Sequence, residues 1–251
     1  MAFPTTSVLD NFDRSNGPVG SNWTALFTGS GLEIFTNQIG NNGDTGAGEM
    51  YWNPITPGPD TEAYCTWATV ASGSAIVLWA RVGGSLPDTP NGYAAIITQG
   101  DTSVSINKVT AGSLSSIGSA TITAPANGHK FGIEVTGSST TTVTVYQNTS
   151  GSWASKGSAT DSSSPWTGAG RIGISVVSTS DRVDDFGGGT ISGAGPQTVS
   201  PTGISSAQAI GSLRVAGPVN LTGITSREAF GSPVVSLDAP PSGPPIFPIH
   251  A

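Results

Sequence analysis

His129-Lys130-Phe131-Gly132-Ile133-Glu134-Val135 alternates cleanly along its length. In an extended chain successive side chains point to opposite faces. Phe131, Ile133 and Val135 therefore share one face, and Glu134 alternates outward. Arg171-Ile172-Gly173-Ile174-Ser175-Val176 repeats the pattern with Ile172, Ile174 and Val176. Thr141 to Gln147 is a third case, rich in β-branched residues that suit a pleated surface. Period two over such lengths reads as half-buried strands.

Moving outward from these runs, Glu62 to Val70 and Ser74 to Val82 are apolar on both faces. They read as central strands covered on both sides, with Trp67 and Trp79 in the core. Leu86-Pro87-Asp88-Thr89-Pro90-Asn91-Gly92 reads as a turn-rich loop before a strand from Tyr93 to Thr98. About twelve strands and no convincing long helix predict an all-β sandwich or barrel over residues 8–191.

The bulk numbers agree. Only 10% of the 251 residues are charged, and Gly (35) and Pro (18) are plentiful, as in short strands joined by tight turns. The net charge is −7 and Lys and Arg form no cluster, so phosphate neutralisation, and with it nucleic-acid binding, is not expected. No run of about eighteen apolar residues predicts a membrane span. Met1-Ala2-Phe3-Pro4 has no charged region followed by an apolar stretch, so no signal peptide is expected. Cys65, alone of its kind, reads as a buried reduced thiol. The sequons at Asn22, Asn148 and Asn220 read as accidents of a Ser/Thr-rich chain.

The last third differs. Residues 198–217 (TVSPTGISSAQAIGSLRVAG) and 218–237 (PVNLTGITSREAFGSPVVSL) match at nine of twenty positions, an internal repeat. Ser205-x-x-Gln208 and Thr225-x-x-Glu228 are capping boxes, and Gly211 and Gly231 stand where a helical turn would stop. Each unit reads as strand, single helical turn, strand. Two such units bury little by themselves. Ile204, Ile210, Ile224 and Phe230 are therefore expected to pack on each other or on another chain. Phe247, in a Pro-rich tail over 239–251, joins them as a candidate assembly contact. The expected organisation is an arm over 1–7, a sandwich over 8–191, a two-repeat β-rich module over 192–238, and the tail.

Four pieces of residues 8–191 resemble the concanavalin A-like, laminin-G-like jelly roll. They are Leu9-Asp10-Asn11-Phe12 with Gly20-Ser21-Asn22-Trp23; Val77 to Arg81 with Gly92-Tyr93; Lys130 to Val135 with Thr141 to Gln147, Asp161 and Gly170 to Gly173; and Val183-Asp184-Asp185-Phe186. The resemblance implies that the first and last strands are neighbours. The opening DNFDRSNGPVGSNW also looks like minor tail proteins of phages that infect actinobacteria, and the repeats resemble short repeats of phage tail and virion proteins. That resemblance, rather than the composition, implies a virion location.

Candidate chemistry is sparse. Glycoside hydrolysis needs two carboxylates flanking the bond. Glu33, Glu49, Glu62 and Glu134 read as isolated residues on a solvated face. His129 and His250 lack the companions of a nucleophilic triad, no G-x-S-x-G occurs, and Cys and His do not cluster for zinc. The chain reads as a non-enzyme that requires no cofactor. Asp10, Asn11 and Asp13 could meet Asp184 and Asp185 if the end strands adjoin. That set reads either as a structural calcium site or as ordinary turn carboxylates. Trp52 with Tyr51, and the loop holding Asn41 and Asp44, reads either as a sugar-stacking platform or as a sandwich cap. Trp153 and Trp166 share that ambiguity.

These readings converge on a virion structural protein at or near the tail. Its jelly roll would project outward, and its repeats and tail would dock on other virion proteins or on copies of itself. A capsid decoration or head-fibre protein, a carbohydrate-binding adhesin for host surface polysaccharide, and a hydrolase of such glycans are the rivals.

Overall fold

The computed structural model describes residues 2–43 and 46–191. Asp44, the repeats and the Pro-rich tail, with Ile204, Ile210, Ile224, Phe230 and Phe247, lie outside the described residues. Sixteen strands and no helix are present among the described residues. In chain order they begin with β1 (Val8–Asp10), β2 (Gly17–Pro18), β3 (Trp23–Ala25), β4 (Leu32–Ile34) and β5 (Ile39–Asn41). Next come β6 (Gly48–Trp52), β7 (Thr61–Thr69), β8 (Ala75–Ser85), β9 (Thr89–Thr98), β10 (Ser103–Thr110) and β11 (Ser113–Thr121). The last five are β12 (His129–Thr136), β13 (Thr141–Asn148), β14 (Trp153–Asp161), β15 (Arg171–Val176) and β16 (Arg182–Thr190).

Two antiparallel sheets result. One has nine strands in the order β14-β13-β12-β7-β16-β5-β4-β2, with β1 pairing off β16. The other has seven in the order β11-β10-β9-β8-β15-β6-β3. The alternation of β12 fixes its facing: Phe131, Ile133 and Val135 are fully buried, and the first two stand opposite Cys65 and Ala63 of β7. From the other sheet Ile172, Ile174, Leu78, Ile97 and Ile106 fill the same core. Each such side chain contributes about 1.5–3 kcal/mol by leaving water. Truncating Ile133 to Ala would cost about 2–5 kcal/mol, because the packed sheets cannot close the void.

The two strands that read as apolar on both faces are central and covered on both sides. β8 lies between β9 and β15, and its outward Val77 and Trp79 are buried with Leu26 and Phe27. β7 lies between β12 and β16, and its outward Glu62 and Tyr64 are covered by the N-terminal arm, residues 2–7. Phe3 of that arm lies over Gly132, where a Cβ would stand 2.3 Å from the ring. Its ring stacks on Tyr146 at 4.0 Å and meets Trp153 and Tyr64 edge-on.

Two boundaries differ from expectation. β9 starts at Thr89 rather than Tyr93, because the hairpin with β8 continues through Gly84↔Pro90 and Ser85↔Thr89. Strands beyond the expected twelve include β1 to β5, which have two or three residues each, too few to display a period. As implied, the first and last long-range motifs meet: Asp10 pairs with Phe186 and Val8 with Gly187. At the far side the outermost strands of the two sheets, β11 and β14, lean together through small residues. A Cβ on Gly118 would stand 2.7 Å from that of Ala159. No helix among the described residues is long and apolar enough to cross a membrane.

Candidate functional site

The opening motif builds a cleft. After β1 the chain reverses at Phe12, whose φ of 52° is held by its amide donating to Asp10 Oδ1 at 2.9 Å. This short-range bond is the local turn that Asp favours. Arg14 then folds back, donating to both Asp10 oxygens at 2.6 and 3.0 Å and to the Val19 carbonyl at 2.6 Å. Trp23 Nε1 donates to Asp10 Oδ2 at 2.9 Å. Burial pushes the Asp10 carboxyl up, but the hydrogen bonds from Arg14, Trp23 and Phe12 and the Arg14 charge outweigh it and hold the group below its usual range. Above this cluster lies an open cleft of about 340 Å³, lined by Asp10, Arg14, Ser21, Asn22 and Trp52 with Leu9, Val19 and Gly20.

Trp52 and Asp10, predicted for different sites, are thus brought to one. Of the two readings of Trp52, exposed platform or sandwich cap, its burial fits the cap. It is 6% exposed and packs edge-on against Trp23 at 5.4 Å, and Trp23 packs on Phe186. Trp52 lines the cleft. Tyr51, one residue earlier, points to the opposite face of the seven-stranded sheet, beneath the Arg171 guanidinium at 5.7 Å. Asn41 is buried and structural: it donates to the carbonyls of Gly46 and Val177 and accepts from the Gly43 amide. Trp166 also serves the framework, donating to the Val109 carbonyl at 2.8 Å.

The predicted calcium set divides. Asp13, Asp184 and Asp185 are neighbours, and the Asp184 carboxyl is pushed up by burial and then by the charges of Asp185 and Asp13. Asp185 is 3.9 Å from Lys130 Nζ and 3.4 Å from Thr66 Oγ1. Asp10, which would complete the set, has both oxygens occupied by a guanidinium and an indole. A bound cation beside Arg14 would meet like charge, so Asp10 does not fit a calcium ligand. Among the described residues no group of three or more His, Cys, Asp or Glu side chains is arranged for a metal.

Two carboxylates read as solvated are not. Glu62 is fully buried under the arm. Glu49, directly opposite Ser175 in the register, accepts from Ser175 Oγ at 3.0 Å, and that oxygen accepts from Trp79 Nε1 at 2.7 Å. Burial pushes the Glu49 carboxyl up, against the Ser175 hydrogen bond. The chain of bonds lies on the outer face of the seven-stranded sheet, where the Leu26 amide also bonds the Glu49 carbonyl. Alternation places all three residues on one outward face, but it carries no sign of the segment that covers them.

Two antiparallel sheets in this order define a lectin-like, concanavalin A-like jelly-roll sandwich. Its solved likenesses include the carbohydrate binding module CBM66 from Bacillus subtilis, with a TM-score of 0.50 and 15% identity over 68% of this chain and 94% of that one. The legume lectin-like domain from Entamoeba histolytica has a TM-score of 0.46 and 14% identity, covering 68% of this chain and 91% of that one. The Emp46p carbohydrate recognition domain, in its potassium-bound form, gives 0.49 and 9% over 75% and 98%. The likeness is one of fold. No protein-family model and no curated protein matches the sequence.

Proposed function

We propose that this chain is a non-enzymatic, glycan-binding structural protein of a bacteriophage particle, carried at or near the tail. The jelly roll is the outward head, and residues 192–251 are the part that docks on other virion proteins or on further copies. The virion assignment rests on the resemblance of the opening motif and the repeats to phage tail proteins.

One observation carries the binding role: the cleft of about 340 Å³ beside Trp52. A sugar offers apolar C–H patches ringed by hydroxyls. Trp52 with exposed Ser21 and Asn22 in the lining matches that mixture. Asp10 and Arg14 neutralise each other, so the cleft suits an uncharged polysaccharide. They also support a role without catalysis, since Asp10 is the only carboxylate lining the cleft among the described residues and it is committed to Arg14 and Trp23.

The test passes the full chain over immobilised neutral wall polysaccharides of actinobacterial hosts. Retention is expected, with loss on Asn22→Ala and no release of reducing ends. Retention by none of the polysaccharides overturns the binding role, and turnover overturns the non-enzymatic one. Antibody labelling of intact particles under the microscope tests the virion location.

A further inference from the structure

The buried carboxyl of Glu62 is used unevenly. Its Oε1 accepts four hydrogen bonds from the arm: the Thr5 amide at 2.7 Å and hydroxyl at 3.2 Å, and the Thr6 amide and hydroxyl both at 2.7 Å. Its Oε2 is buried with no partner. An acceptor stranded in this way is costly, and more so when charged. Glu134 is the direct cross-strand partner of Glu62. Side chains so paired share a face, with Cβ atoms about 4.5–5.5 Å apart. Two ionised carboxylates on facing residues repel.

We propose that a proton carried by the Glu134 carboxyl, opposite Glu62 across the strand pair, locks the N-terminal arm onto the outer face of the nine-stranded sheet, and that its loss at higher pH loosens the arm. On Glu134 the proton supplies the O–H donor that Glu62 Oε2 lacks. The surroundings favour that arrangement. Burial, then the charge of Glu62, pushes the Glu134 carboxyl up; Asp60 adds to this, while a hydrogen bond with Tyr146 opposes it. Tyr64, pushed up to about 12 by burial and by Glu62 and Asp185, stays protonated and donates to the Thr6 carbonyl at 2.9 Å. Lys130, four residues before Glu134 on β12, is directed to Asp185. A carboxyl raised in the folded state stabilises it in acid, and that stabilisation is lost as pH rises through the folded value. The lock is independent of any glycan in the cleft.

Hydrogen exchange of the Thr5 and Thr6 amides in the full chain, corrected for intrinsic rates, reads the lock from about pH 5 to pH 8. Their protection is expected to fall about tenfold or more across that range. Glu134→Gln keeps an N–H donor and cannot titrate, so its protection is expected to stay high and flat. Flat protection in the unaltered chain overturns the proposal, as does an unaltered slope in Glu134→Gln. Should that variant not fold, carboxyl NMR of the unaltered chain decides: Glu134 titrating at an ordinary glutamate value overturns the lock, and a raised titration coupled to Thr5 and Thr6 shifts supports it.

Discussion

The indole N–H of Trp23 and the carboxylate of Asp10, thirteen residues apart, bond at 2.9 Å and tie the first strand to the edge of the opposite sheet. Removing the charge leaves Arg14 without its counter-ion. Asp10→Asn is expected to cost about 2–3 kcal/mol. The Asp10 group is held low in the fold, so its stabilisation is present above the ordinary carboxylate range and lost as pH falls through the folded value. Melting curves against pH should therefore fall less steeply in acid for the variant than for the unaltered chain.

Arg81 is the hub at the other end of the sandwich. Its buried guanidinium donates to the carbonyls of Pro59, Trp166 and Gly137 and to Thr141 Oγ1, and it lies 3.4 Å from Asp60. A lysine has neither the fork nor enough donors, three against these five acceptors. Arg81→Lys is expected to lose about 3–5 kcal/mol. Urea titration should show this as a lower midpoint with an unchanged slope.

Gly132 leaves the space that Phe3 fills. Gly132→Ala would push the ring off its stack on Tyr146, at a cost of about 1–3 kcal/mol. The fluorescence of Trp153, which meets the same ring at 4.9 Å, should shift towards that of a solvated indole. In a chain lacking residues 2–7 the same substitution should be nearly neutral, a coupling that a double-mutant cycle measures.

Cys65 lies in the core, and burial first, then the charge of Asp185, pushes its thiol up. The thiolate is the reactive form. A thiol reagent should leave the native chain untouched and react once denaturant unfolds it.

The strands were legible where period two ran long, as in 129–135 and 171–176, and the burial of Trp67 was legible because its strand is apolar on both faces. The meeting of the Asp10 and Phe186 motifs was legible only through the resemblance. Glu62 was misread for a physical reason: an outward carboxylate on an alternating strand looks solvated until a remote segment, here Thr5 and Thr6, lies across it. The two readings of Trp52 stayed open because its turn-like neighbours, Asn53 and Pro54, hide that it ends a strand paired with Trp23. The cleft joins parts from residues 9–22 and residue 52, a juxtaposition made by sheet pairing and not by any local pattern.

The closure of β11 against β14 bears on crowding. A long, flat sheet margin invites another molecule to add its backbone and begin a ladder of aggregated chains. Here each outermost strand is screened by its counterpart through Gly118 and Ala159, and among the described residues the opposite margins offer only β2 and β3, two and three residues long. Many copies packed at high local concentration would meet through side chains, and would stay separate bodies instead of fusing into fibrils.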